Sequence, residues 1–145
     1  MQLVSNGIPI NIKLETSIVQ NEHRQNFLYE SVGQAVQVGS HWYLRYEEKA
    51  ESGEHFQVML KLCSDGAVHL TRQGSLRTKF RFVPGEITET SYQTSYGTML
   101  LLTKTKRLQL EFSELPLAGK LQLAYELSTG EEILGNYQLF LEFTA

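Results

Sequence analysis

Arg72 is the side chain in this sequence best placed to do chemistry. In "AVHLTRQG" it continues an alternation begun by Val68 and Leu70, so it points where apolar side chains point. A guanidinium on an apolar face needs a counter-charge, supplied by a protein carboxylate or by a bound anion. Just downstream, "LRTKFRF" sets Arg77, Lys79 and Arg81 on one face of a strand and Thr78, Phe80 and Phe82 on the other. Three cations in such a row repel one another. They either hold a strand edge in solvent or grip carboxylate or phosphate. A third stretch, "SYQTSYGTMLLLTKTKR", puts Tyr92, Thr94 and Tyr96 on one face of a strand, then Met99, Leu101, Thr103 and Thr105 opposite Leu100 and Leu102. Turned inward, those hydroxyls would give a cavity its few polar handles.

Charge isolates the same region. The chain carries a net charge of −3, yet residues 71–107 hold seven basic side chains against two acidic ones, Glu86 and Glu89. Beyond this the usual catalytic patterns are missing: there is no Gly-rich phosphate loop, no HExxH, no CxxC and no GxSxG. His23, His41, His55 and His69 fall in four separate segments without ligand-like spacing. We therefore expect no catalytic residue, no metal and no cofactor, and we expect His69 on a solvated face. Cys63, the one cysteine, can form no internal disulfide. It lies in the apolar run "QVMLKLCSDG" with no base beside it, and reads as a small hydrophobe. A lone cysteine fits a reducing cytoplasm. "MQLVSNGIPINIKLETS" lacks the pattern of a secretory leader, and no apolar run approaches the roughly 20 residues of a membrane helix. A cytoplasmic protein without a membrane partner is expected.

These residues must be positioned by strands. Period-2 alternation dominates the 145 residues: Ile8, Ile10, Ile12 and Leu14; Trp42, Leu44 and Tyr46; Phe56, Val58, Leu60 and Leu62; Leu121, Leu123, Tyr125 and Leu127; Tyr137, Leu139, Leu141 and Phe143. Short turn signals separate the runs ("VGSH", "SDG", "RQGS", "VPGE", "SYGT", "LAGK", "STGE"), and "EEKAESGEH" is the most solvated connection. The spacing predicts one all-β domain over 1–145, an antiparallel up-and-down closed β-barrel of about 8–10 strands. The alternative is a two-sheet sandwich, which needs longer Greek-key connections.

The block "TRQG", "FRFVPG", "SYQTSYGTMLLLTKTKRL" resembles the YwiB-like family of uncharacterised bacterial proteins. The likeness falls on Arg72, Gly74, Phe82, Gly85, Tyr92, Ser95, Tyr96, Gly97, Leu101, Thr103, Thr105 and Lys106. Specific matches concentrate in residues 71–108, and strand layout is compatible along nearly the whole chain. The resemblance implies a calycin-like, lipocalin-type closed barrel of low-GC Gram-positive bacteria, with no assigned activity.

Two functional expectations follow. In the first, a non-enzymatic barrel holds a small amphipathic or anionic ligand, with Arg72 meeting its anionic end, Lys106 helping, and Tyr92, Thr94 and Thr103 nearby. On the bland side of that reading, Arg72 is a structural lock paired with Glu47, Glu126 or Glu142. In the second, Arg77, Lys79, Arg81, Lys104 and Arg107 form a basic surface for RNA or an acidic protein partner. A hydrolase inside the barrel would need a nucleophile–base pair that the sequence does not offer. The oligomeric state is open, a homodimer included.

Overall fold

A computed structural model describes residues 7–50 and 52–145. Ten strands follow in order: β1 (Ile8–Gln20), β2 (His23–Val38), β3 (His41–Lys49), β4 (His55–Leu62), β5 (Val68–Gln73), β6 (Arg77–Phe82), β7 (Ile87–Thr94), β8 (Gly97–Glu114), β9 (Leu117–Ser128) and β10 (Ile133–Thr144). Each pairs antiparallel with its neighbours in sequence, and β1 also pairs with β10, which closes the barrel. The expected up-and-down barrel is the fold, with ten strands. Residues 1–6, the start of the segment read as lacking a leader pattern, lie outside the described residues, as does Glu51 in the β3–β4 connection. Among the described residues no helix is long and apolar enough to cross a membrane.

Alternation makes the wall. β6 is buried at every second residue, and β9 buries six of its twelve in strict alternation. Ile12, Leu44, Leu60, Phe82, Leu121 and Leu141 are at most 2% exposed and meet in the middle. Each such side chain contributes about 1.5–3 kcal/mol by leaving water. Phe80, Phe82, Tyr92, Tyr125 and Tyr137 form a contiguous aromatic group, with Tyr125 and Tyr137 stacked at 4.9 Å.

The ladder thins at two seams. β2 pairs with β3 only from Gly33 to Val38, so residues 23–32 of β2 leave β3. Side chains bridge the gap. The Tyr29 hydroxyl donates to the Glu47 carbonyl (2.7 Å) and accepts from the Lys49 N–H (3.2 Å), while Ser31 also donates to Glu47 (3.3 Å). Gly33 stands where the strands part, and a Cβ there would lie 2.2 Å from the Arg45 carbonyl oxygen. At the second seam β6 and β7 share only the pairs from Arg77↔Gln93 to Lys79↔Ser91, and Thr88 donates to the Arg81 carbonyl.

A β-bulge between Thr105 and Arg107 shifts the register of β8. Before it Leu101, Thr103 and Thr105 face inward. After it Leu108, Leu110 and Phe112 take the inward side, opposite Leu123, Leu121 and Gly119, with Leu108 and Phe112 packed on the core and Leu110 still exposed. The hydroxyls of Thr90 and Thr103 hydrogen-bond to each other, whereas the buried Thr105 Oγ1 has no partner among the described residues. A buried unpaired hydroxyl costs about 1–3 kcal/mol. Thr105→Val is therefore expected to raise the urea midpoint, by about 1 kcal/mol of unfolding free energy. Thr103→Val, which strands the Thr90 hydroxyl, should lower it. Equal effects of the two substitutions would contradict this assignment.

Candidate functional site

Arg72 points inward, as its sequence context implies, opposite Val58 on β4 and Thr78 on β6. Its Nη2 lies 3.0 Å from Glu48 Oε1, and its guanidinium sits 3.8 Å from the Phe56 ring centroid. The counter-charge is thus Glu48, not Glu47, Glu126 or Glu142. Register explains the correction: Glu48 lies opposite the buried Phe56 and so faces inward, whereas Glu47 lies opposite Gln57 and faces out. Gly74 completes the arrangement. A Cβ there would approach the Phe56 ring to 2.5 Å, so the Arg-x-Gly pattern supplies a cation and a vacancy to one aromatic ring.

The other expected ligand groups are dispersed. Tyr92 is inward and edge-on to Phe80 at 6.2 Å. Burial pushes its hydroxyl up to about 12, with Tyr137 adding to the rise and Arg72 opposing it. Thr94 is committed to its own turn, donating to the Gly97 carbonyl (3.0 Å) and accepting from the Tyr96 N–H (3.1 Å). Thr103 is fully buried against Thr90. Lys106 sits in the bulge on the outer wall, 3.2 Å from Asn136 Oδ1 and 3.6 Å from Glu126 Oε1. It cannot share an anion with Arg72, because the sheet lies between them. Tyr96 does not continue the Tyr92 face but stands in the turn, 99% exposed. Cys63 is partly buried beyond β4, and burial raises its thiol pKa.

The outer wall of β3–β6 is more coherent. Register aligns three cross-strand rows on it: Tyr43, Lys61, His69 and Arg81; Arg45, Met59, Thr71 and Lys79; Glu47, Gln57, Gln73 and Arg77. Arg77, Lys79 and Arg81 are exposed on one flank and Arg45 on the other, with Lys61 between, 5.8 Å from the Tyr43 ring centroid. Glu47, the one carboxylate in these rows, is engaged by His55 and Gln57, which lower its pKa. His69 titrates below its ordinary value, first because it is partly buried and then because Lys61 and Arg81 flank it. It is on the outer face as expected, though only partly exposed.

The basic surface expected from the sequence is therefore regrouped. Arg77, Lys79 and Arg81 stay together and gain Arg45 and Lys61, which lie outside the basic segment. Lys104 stands across from Ile87 and Glu126. Arg107 lies beyond the bulge, in a groove of about 550 Å³ on the outer wall of β2, β1, β10 and β9, shared with Glu15, Leu28, Gln122 and Phe140. No local signal links Arg45 and Lys61 to the Arg77–Arg81 strand; only the register does.

The model of the family described as a domain of unknown function, DUF1934, matches residues 12–141. The chain belongs to this family. The DUF1934 barrel is 27% identical over 124 residues to the uncharacterized β-barrel protein YwiB of Bacillus subtilis (strain 168), covering 86% of this chain and 84% of that protein. The crystal structure of the YwiB protein from Bacillus subtilis matches it with a TM-score of 0.81, over 94% of this chain and 91% of that one, at 24% identity. The second likeness bears on the fold.

Two outcomes test the interior of this DUF1934 barrel. The Arg72–Glu48 pair is partly solvated, with side chains 33% and 26% exposed, so the ion pair contributes less than about 1 kcal/mol. Arg72 also covers Phe56, which adds about 1 kcal/mol. In urea unfolding, Arg72→Ala should cost more than Glu48→Gln; an equal or larger loss for Glu48→Gln would show that charge, not ring cover, dominates. The second outcome concerns alkali. Burial raises the hydroxyl pKa of Tyr46, Tyr92 and Tyr125. A raised folded-state pKa stabilises the fold fully below the unfolded value, near 10, and that contribution is lost as pH climbs. Unfolding free energy should fall between about pH 10 and 12, and Tyr92→Phe should make the fall shallower. A fall unchanged in Tyr92→Phe would remove Tyr92 from its cause.

Proposed function

We propose that this protein is a binding module whose β3–β6 outer wall takes single-stranded RNA. The supporting observation is the convergence of Arg45, Lys61, Arg77, Lys79 and Arg81 on one sheet face whose single carboxylate, Glu47, is already engaged. Alternate residues along a strand stand about 6.6 Å apart, so the β6 cations form an evenly spaced rail for a phosphate backbone. Tyr43 on the β3 flank and His69 on β5 offer flat rings beside the cations, the combination of stacking surface and cations that serves unpaired bases. A protein partner would need an apolar anchor in an interface core depleted of charge, whereas Met59 lies opposite Arg45 and Tyr43 opposite Lys61.

A small amphipathic or anionic ligand inside the barrel has less support from the geometry. The inward side chains fill the middle of the barrel, and Arg72 already has its carboxylate. An anion held by the wall instead meets cations without carboxylate partners among the described residues.

Fluorescence anisotropy with a labelled oligouridylate tests the proposal. Five phosphate contacts predict a slope of about −3.5 for log K against log salt. The double variant Lys79→Glu/Arg81→Glu should bind at least about tenfold more weakly and with a shallower slope. The imidazole of His69, followed by NMR, should titrate at higher pH once RNA is bound, because phosphate offsets Lys61 and Arg81. No binding at low salt, or unchanged binding by the double variant, would overturn it.

A further inference from the structure

We infer that the free edge of β2 pairs with β2 of a second copy, forming a twofold dimer whose sheet runs through both barrels. The surface is separate from the β3–β6 wall. Over residues 23–32, β2 is bonded along one side to β1, while β3 has departed and, among the described residues, is reached by hydrogen bonds through the Tyr29 and Ser31 side chains. Backbone donors and acceptors along that edge lack ladder partners among the described residues. Proteins ordinarily blunt such an edge with proline, lysine or a bulge. The stretch "HRQNFLYESV" contains no proline and no lysine, and its register with β1 runs without a shift. It presents apolar surface as well, with Phe27 47% and Leu28 64% exposed.

The occupant follows from self-complementarity. A twofold axis perpendicular to the sheet keeps each face on its own side, so residues of like parity oppose one another in antiparallel register. With the axis at Phe27, Phe27 meets Phe27 of the second copy, Asn26 meets Leu28, and Arg24 meets Glu30, each of the last two pairs occurring twice. Arg24 and Glu30 both lie on the outer face, where Val19 and Lys13 of β1 are their neighbours. Glu30 would then stand between Lys13 of its own chain and Arg24 of the second copy. Shifting the register by two residues either way sets Arg24 against Leu28 or Val32 and loses both ion pairs. Charge therefore selects one register.

Sedimentation equilibrium of the full chain tests the inference. Wild type should show a concentration-dependent monomer–dimer equilibrium. Arg24→Glu, an exposed position, should shift it toward monomer by at least tenfold, and Arg24→Glu/Glu30→Arg should restore it. In a Cys63→Ala background, Phe27→Cys should form an intermolecular disulfide on mild oxidation. A wild type that stays monomeric at every concentration would overturn the proposal. So would a dimer indifferent to Arg24→Glu, a charge swap that fails to restore it, or a dimer in which Phe27→Cys does not cross-link. None of these outcomes bears on RNA binding, because no residue of the three basic rows is changed.

Discussion

The pairing of β1 with β10, from Asn11 opposite Thr144 to Val19 opposite Asn136, is the contact on which the rest of the structure depends. Every other strand pair joins neighbours in sequence through a short turn and can form locally. This one brings the two ends of the described chain together. Without it, both strands would be edges, and Ile10, Ile12, Leu14, Leu141 and Phe143 would lose one wall of their enclosure. Closing a long loop costs only a slowly growing entropy, so the price is modest once the hairpins exist. The order of events this suggests is hairpins first and closure last, with the aromatic group around Tyr125 consolidated at the end.

A wall one strand thick divides labour by parity. On β6 the same six residues give Thr78, Phe80 and Phe82 to the core and Arg77, Lys79 and Arg81 to the outer face. Among the described residues nothing charged is taken into the middle of the barrel. Arg72, the one inward cation among the described residues, stays near a rim, where solvent, Glu48 and the face of Phe56 share its charge. Cations from different strands become neighbours because register aligns them, which is how Arg45 and Lys61 come to stand with Lys79 and Arg81.

Most of the fold was legible because inward-facing strands must alternate. β3, β4, β6, β9 and the buried half of β10 each carry their pattern openly. β2 did not: "HRQNFLYESVGQAVQV" shows no clean alternation, since its first half has no buried face to encode. The β1–β2 turn was hidden for a different reason. Asn21 and Glu22 both adopt positive φ, of 49° and 67°, at positions where glycine usually advertises such a turn. The inward direction of Arg72 was readable from Val68 and Leu70. Its partner was not, because choosing Glu48 over Glu47 requires the phase of β3 relative to β4. The basic wall was half readable for the same reason, its β6 row local and its β3 and β4 members set by register alone.

The bulge at Thr105–Arg107 acts as a change of reading frame in β8. Upstream, odd-numbered residues belong to the interior; downstream, even-numbered ones do. Paired without the bulge, the same residues would keep their strand propensity. Yet unbroken alternation would turn Leu108, Leu110 and Phe112 toward solvent and drive Arg107 and Gln109 inward. β9 keeps one strict alternation and pairs with β8 on both sides of the bulge, so the single extra residue is what lets two differently phased halves of β8 meet one neighbour. Away from the bulge, insertions and deletions in this strand are consequently constrained to even numbers, whereas at the bulge the loss of a single residue leaves both halves in phase.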